Sequence, residues 1–439
     1  MNLKVTWLIV VLCLALSLSA SAANVSVNCT NPQAGTFPSI TAALNSLDPA
    51  GPNVITVQGT CKENVFIFYY QRLTIQAAPG QTAVIENAAN PAGIVLQAFG
   101  CRGLVLVNLV IQGGSVGLLV NQASEAVIQN LVAKNNPGDG IVAQIDSTLG
   151  VESSKSINNG GVGFTVASKA NATLSTVPGE TITVSGNGGI GVVVDTGYLQ
   201  VNFGALHVDH NAGAAVFVAQ GELLMFGGNG AGPGNVFQNN GEGVDLFDTS
   251  SARFFGGNLI QNNGEVGLQV VGGSSVEFFG FTEPDGTVAE TVIQGHSGPG
   301  VNIVRSSAAT FNGPNVIRHN GSASDSLRSG IRIEHSNVTL DGTTVAGNTG
   351  PGIVARESST VNILDKAVIR NNSEDGLRLM FQSNGGFFQP LQIAGNGGPS
   401  VSCDASSLAF GDFTGIKNVN CNVQAEVDRV ATTSRVVLH

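Results

Sequence analysis

The second half of the chain carries polar and charged side chains at a regular spacing. Arg332, Arg356 and Arg378 fall in successive copies of one sequence frame. A guanidinium group forms paired hydrogen bonds with a carboxylate, so arginines at this spacing predict a surface that binds acidic groups. The full candidate binding set, predicted to lie on one side of adjacent repeats, is Asp245, Gln269, Asn302, Arg305, Arg332, Glu334, Arg356 and Arg378. The alternative is a solvated face in which Arg332, Glu334 and Arg356 pair with one another.

The frame that positions these side chains is a repeat of about 23 residues. Each copy has an Asn, a few small residues, a Gly, alternating apolar residues and then a Ser or Thr pair, as in QNNGEVGLQVVGGSSVEFFG. The glycines are Gly93, Gly117, Gly140, Gly163, Gly191, Gly243, Gly267, Gly300, Gly330, Gly352 and Gly376, with Ala215 and Ser400 in the same position. A constant period with occasional insertions is typical of a solenoid whose insertions form loops.

Two features of each copy predict its local structure. Apolar and polar residues alternate after the glycine, as in Ile331-Arg332-Ile333-Glu334, which indicates a strand with one buried face. An Asn often stands four residues before the glycine, where its amide can hydrogen-bond across a tight turn and stack into a ladder. These residues are Asn136, Asn159, Asn187, Asn211, Asn239, Asn263, Asn348, Asn372 and Asn396. Short strands joined at such corners predict a parallel β-helix.

The repeats resemble the right-handed parallel β-helix proteins of the pectate-lyase superfold, over roughly residues 36 to 412. The opening TFPSITAALNSLDPAGPNVITVQGTCKENVFI also resembles the start of that family, with Ser39 capping a short helix over residues 40–47. The resemblance implies an all-β, right-handed parallel β-helix of about thirteen or more coils, with an N-terminal capping helix and a disulfide-stapled C-terminal cap. It implies little about activity, because the same fold carries lyases, hydrolases, esterases, epimerases and adhesins.

The first 22 residues are predicted to be a cleaved signal peptide. Lys4 precedes an apolar run over residues 5–18, and Ala20-Ser21-Ala22 forms an A-x-A cleavage site. We therefore expect a secreted protein, periplasmic or extracellular. Its predicted divisions are signal peptide 1–22, N-terminal cap 23–50, parallel β-helix 51–400, and C-terminal cap and tail 401–439. No later segment has the roughly 20 apolar residues that span a bilayer, so the mature chain should have no membrane span.

Charge and cysteine content narrow the partners and the covalent structure. The net charge of −11 disfavours nucleic acid and anionic lipid. In an exported protein cysteines should pair, and we expect Cys29–Cys61 at the start and Cys403–Cys421 at the end, although spacing alone does not prove the connectivity. Cys101 would then be left over and buried. The absence of a C-x-x-C motif gives no reason to expect a metal, and we expect no cofactor.

The candidate set does not complete the catalytic sites of the family that the chain resembles. A pectate-lyase-like calcium site needs several acidic side chains on adjacent coils, whereas Asp245 and Asp248 are poorly supported by other acidic residues in their neighbourhood. Inverting hydrolysis needs two carboxylates at a defined separation, and no such pair can be nominated. The Gly295-His296-Ser297 motif faintly resembles part of a polygalacturonase site. However, His296 lies in the Asn position of its copy and is predicted to be structural.

Two functional hypotheses follow from these residues. The first is a non-catalytic, monomeric β-helix protein that binds an extracellular polysaccharide, acidic in the version that uses arginine, or a cell-surface partner. The alternative is a polysaccharide lyase, glycoside hydrolase or epimerase with an atypical site, in which Arg332 or Arg356 is the base and Glu334 the acid.

The earlier copies carry apolar residues in the same outward column as the candidate set. Two residues past the glycine, or past Ala215 in its copy, stand Val95, Leu119, Val142, Val193 and Phe217. This apolar strip predicts either a contact surface or a surface covered by other parts of the chain, and we favour the covered alternative.

Overall fold

The computed structural model describes residues 22–89, 92–177, 179–204, 206–228, 234–325, 328–425 and 437–438. The predicted signal peptide up to residue 21 and most of the tail after residue 425 lie outside this described part. The described chain forms an all-β parallel β-helix of about 14 turns, which confirms the predicted fold class. Each turn contributes strands to three long sheets that face one another across a continuous interior.

The three sheets are named in the order in which the chain visits them. Sheet 1 contains Ala23–Asn28, Thr36–Phe37, Asn53–Gln58, Leu73–Ala77, Leu104–Val107, Glu125–Gln129, Thr148–Glu152, Asn171–Ser175, Tyr198–Val201, Glu222–Phe226, Ser251–Phe255, Ser275–Phe279, Ala308–Asn312, Asn337–Asp341, Thr360–Ile363, Asn384–Phe387, Leu408–Gly411, Val423–Ala425 and Val437–Leu438. Sheet 2 contains Thr60–Lys62, Ala83–Glu86, Leu109–Gln112, Val132–Lys134, Lys155–Ile157, Ile182–Ser185, Leu206–Asp209, Asn235–Gln238, Asn258–Gln261, Thr291–Gln294, Val316–Arg318, Thr344–Ala346, Val368–Arg370 and Gln392–Ala394. Sheet 3 contains Val65–Phe68, Ile94–Phe99, Val116–Asn121, Asp139–Gln144, Phe164–Ala167, Val192–Asp195, Ala214–Ala219, Glu242–Phe247, Leu268–Val271, Val301–Val304, Ile331–Glu334, Ile353–Arg356, Leu377–Leu379, Val401–Cys403 and Val419–Asn420. An antiparallel hairpin, Phe281–Thr282 with Val288–Ala289, projects from one insertion.

The interior is filled by the apolar residues of the alternating pattern. Ile331 and Ile333 are fully buried, whereas Arg332 between them faces outward and is half-buried. Phe254, Phe278 and Phe311 stack inside sheet 1 with ring centroids 4.7 and 4.8 Å apart. Burying each such side chain contributes about 2 kcal/mol, so the repeated aliphatic and aromatic stacks stabilise the coil from within.

The corner between sheets 2 and 3 contains the predicted ladder of asparagines. Each amide accepts from the backbone N–H of the ladder residue in the preceding coil, as Asn348 does from Asn320 at 3.0 Å. The side-chain amide of Asn348 in turn donates to Asn372 at 2.9 Å. A Cβ at Gly352 would come within 2.7 Å of the Asn372 amide nitrogen, which explains why glycine recurs beside the ladder.

The ladder differs from the sequence prediction at two positions. Asn240, not Asn239, bonds Asn211 and Asn263, because this corner is one residue shorter than the others. Asn320 also belongs to the ladder, although the insertion that follows it hides the spacing. The structural prediction for His296 is confirmed: it is 2% exposed and accepts the backbone N–H of Asn263 at 3.3 Å.

A helix packs at the N-terminal end of the coil, and a disulfide lies near the C-terminal end. A helix over Ile40–Leu44, shorter than the 40–47 predicted, is capped by the Ser39 hydroxyl, and the Glu63 carboxylate accepts its first N–H groups. The disulfides Cys29–Cys61 and Cys403–Cys421 are both present, and Cys101 is free and buried. The helix protects the first coil, whose strand edges could otherwise template aggregation. The C-terminal cap stays a prediction.

Candidate functional site

The outer face of sheet 3 aligns the predicted column of polar residues. Asp245 pairs in register with Gln269, Gln269 with Asn302, and Asn302 with Arg332. The column then continues through Val354 to Arg378. The prediction was wrong for Val95 in the first copy, because this residue is fully buried. Gln97 lies opposite Leu119 instead. This coil therefore turns two residues later than the position of Gly93 suggests.

Asp245 is in the column but is enclosed. Only 4% of the residue is exposed, and its Oδ1 atom has no hydrogen-bond partner among the described residues. Burial raises the pKa of Asp245 to about 9, with further contributions from the hydrogen bond and charge of Glu242 and the charge of Glu265. Asp245 therefore carries a proton at neutral pH and does not present an outward-facing charge.

The middle of the column is a chain of polar contacts that leads to Arg332. Asn302 donates to the Gln269 side chain at 3.3 Å, and Arg332 donates from Nη1 to Asn302 Oδ1 at 2.9 Å. The Nη2 group of Arg332 pairs with Glu334 Oε2. These contacts hold the Arg332 guanidinium across the strand.

Arg356 lies opposite Glu334 on the next coil and contacts two carboxylates. Its Nη2 donates to Glu357 Oε1 at 2.8 Å, and its Nε lies 3.9 Å from Glu334 Oε2. The Nε–H has no hydrogen-bond partner within the described part of the chain, although the atom is buried. Arg305 lies at the corner of the preceding coil with a φ of 59°, is exposed, and does not line the same pocket as Arg356.

Arg378 is held by acids from the corner that precedes its own strand. Its Nε donates to Asp375 Oδ2 at 2.8 Å and its Nη2 to Glu374 Oε2 at 2.9 Å. The other oxygen of Glu374 accepts from Arg328 at 3.0 Å. One glutamate thus links an arginine of the strand to an arginine of the insertion after Asn320.

These arginines surround an open pocket of about 210 Å³. Its lining residues are Arg328, Arg332, Pro351, Val354, Arg356, Glu374, Arg378 and Met380. The described wall therefore presents four guanidinium groups and one carboxylate, with an apolar floor. The charges behind the wall are balanced, since Glu334, Glu357 and Asp375 pair with the same arginines from outside it.

The pocket gathers only part of the predicted set. Arg332, Arg356 and Arg378 line it, Glu334 supports it, and the remaining candidates do not reach it. Sequence reasoning missed Arg328, which lies in an insertion, and Glu374, which sits in a corner of the frame. The signal for Glu374 was the acidic pair in NNSEDG, where most other copies have small or uncharged residues before the glycine.

The side chains in the apolar part of the column are buried or half-buried. Leu119 and Val142 are each 7% exposed, while Val193 and Phe217 are half-buried. These values do not place another part of the chain over the strip, so the covered surface stays a prediction. Within the described residues no helix is both long and apolar enough to cross a membrane.

The fold and the pocket define the chain as a solenoid of the parallel β-helix class with a charged pocket on its outer face. The chain belongs to the right-handed β-helix family, whose model, the right handed beta helix region, matches residues 116–283 and 281–426. No curated protein matches the sequence.

Several solved structures have a similar fold. One is the A-module of the mannuronan C-5 epimerase AlgE4 from Azotobacter vinelandii, with 12% identity and a TM-score of 0.39 over 84% of this chain and 94% of that chain. Another is tailspike protein 2 of bacteriophage CBA120, with 12% identity and a TM-score of 0.34 over 78% of this chain and 47% of that one. Pectate lyase Pel9A has 10% identity and a TM-score of 0.29 over 89% and 82%. At these identities the similarity concerns the fold alone.

Proposed function

We propose that this protein binds a carboxylate-bearing extracellular polysaccharide in the arginine pocket of sheet 3, without converting it. The observation that supports the proposal is the composition of the pocket wall, where four guanidinium groups face one carboxylate. Each guanidinium has five N–H donors, so an arginine that is already paired with one acid keeps donors for a second.

The floor of the pocket suits the other face of a sugar. Pro351, Val354 and Met380 lie between the arginines and present carbon atoms to the pocket. A sugar ring has apolar C–H faces and polar edges, and ligand sites commonly combine an apolar surface with a few convergent polar groups. A uronate residue could therefore place its ring on this floor and its carboxylate against Arg332, Arg356 or Arg378.

A ligand carboxylate would accept from guanidinium N–H groups that face the pocket, since the Nε atom of Arg356 is itself buried. Charge-assisted hydrogen bonds to a carboxylate also exceed those to neutral groups, so the proposal predicts preference for acidic over neutral glycans.

The test is calorimetric titration of the purified chain with polygalacturonate, polymannuronate, hyaluronan and the neutral polymer dextran. We expect at least one of the three acidic polymers to bind, no binding of dextran, and weakening of the interaction as salt rises. Arg332→Ala and Arg378→Ala should each reduce affinity by about tenfold or more. Arg253→Ala is the matched control, because Arg253 makes a comparable ion pair with Glu277 on sheet 1, outside the pocket.

The proposal would be overturned if none of the acidic polymers bound, or if the pocket variants bound as tightly as the control. Chromatography of the same mixtures tests the catalytic alternative. Unsaturated products, new reducing ends or altered uronate stereochemistry that disappear in Arg332→Ala would replace binding with catalysis.

We also propose that the protein is exported to an oxidising compartment. Two disulfides support this localisation, because such bonds persist outside reducing cytosol. N-terminal sequencing of protein recovered from the medium or periplasm should begin at Ala23 if the predicted cleavage site is used; retention of residues 1–22 would contradict it.

A further inference from the structure

A second cluster of side chains lies at the corner beside the arginine pocket. Glu334 ends one strand of sheet 3, His335 follows it, and Glu357 follows the adjacent strand of the next coil. One carboxylate oxygen of each glutamate and a ring nitrogen of His335 all lie within 4.8 Å of one another. We infer that Glu334, His335 and Glu357 form a binding site for a divalent transition-metal ion such as Zn²⁺.

The backbone at the corner brings these three side chains together. His335 and Glu357 have φ values of 47° and 58°, so both coils turn in the left-handed region at the same point. The backbone N–H of His335 bonds Arg356 O on the neighbouring coil, which keeps the two corners in step. Adjacent parallel strands lie about 4.8 Å apart, and this spacing places their corner side chains within reach of one ion.

The distances need only a small adjustment to fit a metal. Ligand atoms around a tetrahedral zinc ion, each about 2.0–2.1 Å from it, are about 3.3 Å from one another. His335 Nδ1 and Glu357 Oε2 are already 3.2 Å apart. Rotation of the Glu334 side chain toward the other two ligand atoms would complete a three-ligand set, with water in the open position as in other three-ligand zinc sites.

Neighbouring arginines orient the two carboxylates and leave one oxygen of each available. Glu334 uses Oε2 to bind Arg332, and Glu357 uses Oε1 to bind Arg356. Partners of this kind fix the rotamer of a ligand, as hydrogen-bonded groups commonly do around metal sites. The hydrogen bond from Arg356 also lowers the pKa of Glu357 below its usual range, so this ligand is ionised over the pH range in which metals bind.

The donor set selects the class of metal. An imidazole nitrogen with two carboxylates suits zinc, copper, nickel or iron, whereas calcium takes six to eight oxygen ligands and magnesium strongly prefers oxygen. The positive charges of Arg332 and Arg356 weaken the attraction of the site for a cation. We therefore expect moderate affinity, in the micromolar range. The other described cluster of this kind, Cys29, Cys61 and Glu63, is excluded because its cysteines form a disulfide.

The experiment is titration of the full chain, without a histidine tag and after dialysis against a chelator, with Zn²⁺ alone. We expect one saturable site, with affinity reduced about tenfold or more in His335→Ala and in Glu357→Gln. His319→Ala is the matched control, because His319 is also an exposed corner histidine, with a φ of 55°.

Circular dichroism of each variant separates loss of the site from loss of the fold. Folded His335→Ala that binds Zn²⁺ like the wild type, or absence of saturable binding in the wild type, would overturn the inference. Because no polysaccharide is present in this titration, its outcome is independent of the function proposed for the arginine pocket.

Discussion

The corner ladder and the arginine pocket cross the same coils but use hydrogen bonds differently. Asn320, Asn348 and Asn372 are at most 2% exposed, and each repeats the contacts of the one before. The pocket arginines are partly exposed, charged, and bound to different partners on every coil. The uniform contacts account for the stability of the coil, whereas the irregular contacts leave donors and charge available to a ligand.

In this solenoid, contacts that repeat on every coil and contacts that differ between coils have different roles. A ladder amide that is satisfied on both sides has nothing left to offer a partner, and removing it leaves buried groups unpaired. A guanidinium that is held by one or two acids can exchange part of its contacts at little cost, since exposed ion pairs contribute little to stability. Substitutions in the ladder should therefore destabilise the fold. Substitutions in the pocket should weaken binding with little effect on the free energy of unfolding.

The largest expected effect on stability comes from Asn348→Ala. The substitution removes the acceptor of the Asn320 backbone and side-chain amides, and with it the bonds from Asn348 to Ile317 and Asn372. With several buried groups left unpaired, the free energy of unfolding should fall by about 4 kcal/mol, measured by urea denaturation. The exposed Asn337→Ala should change it by less than about 0.5 kcal/mol. Equal effects of the two variants would break the comparison.

The next effect concerns His296, the one histidine seen in the described ladder. Burial lowers the pKa of His296 to about 4, and its Nε2–H donates to Ile260 O at 3.1 Å. The folded state therefore resists protonation while the unfolded chain takes up a proton below about pH 6.5. The contribution of His296 to the free energy of unfolding is therefore fully present above pH 6.5. It falls by about 3 kcal/mol as the pH falls toward 4.

His296→Asn tests this pH dependence. An asparagine would restore the ladder amide and remove the titrating group, so the fall in unfolding free energy between pH 6.5 and pH 4 should become shallower by about 3 kcal/mol. Urea denaturation at several pH values measures it. His319→Asn, at an exposed corner, should leave the wild-type profile unchanged; an unchanged profile in His296→Asn would show that the histidine does not cause it.

A smaller effect with the opposite sign is expected at Asp245. Burial and then Glu242 raise its pKa to about 9, so the folded chain keeps a proton that the unfolded chain loses above about pH 4. The contribution of Asp245 is highest below pH 4 and is lost as pH rises toward 9. Asp245→Asn should raise the free energy of unfolding at pH 8 by about 2 kcal/mol, because Glu242 shares part of the shift. Asp248→Asn, at an exposed corner, should have no such effect, and destabilisation by Asp245→Asn at pH 8 would contradict the assignment.

The smallest expected effect on stability is that of the pocket arginines. Arg332→Ala combined with Arg378→Ala should change the free energy of unfolding by about 1 kcal/mol or less, because the pairs are partly solvated. The same double variant should abolish polysaccharide binding. If it destabilised the chain as much as Asn348→Ala, the pocket would be a structural element like the ladder.

The fold could be predicted because its causes are periodic. The alternation around Ile331 and the recurrence of Asn before Gly352 repeat in each coil, and the same physical requirement produces the same residues. Predictions failed where the period changed locally: at Asn239, where the corner is shorter, at Val95, where the coil turns later, and at Asn320, where an insertion follows.

The pocket was only partly predictable, because it depends on residues outside the periodic frame. Arg332, Arg356 and Arg378 could be placed on one face from their register. The position of Arg328 at the pocket depends instead on the path of an insertion. The raised pKa of Asp245 could not be read from a column position, since it depends on burial and on Glu242 and Glu265 at other positions in the frame. Which side chains pair between coils depends on the tertiary structure, so a single sequence gives little indication of it.

The in-register pairing of each coil with the coils before and after it has a consequence for how such proteins can vary. A whole coil added or deleted far from sheet 3 strands 331–379 would change the length of the molecule by about 4.8 Å and leave every contact around Arg356 as it is. The length of the molecule and its ligand preference can therefore evolve separately. Relatives with different numbers of coils could carry the same three coils that form the pocket.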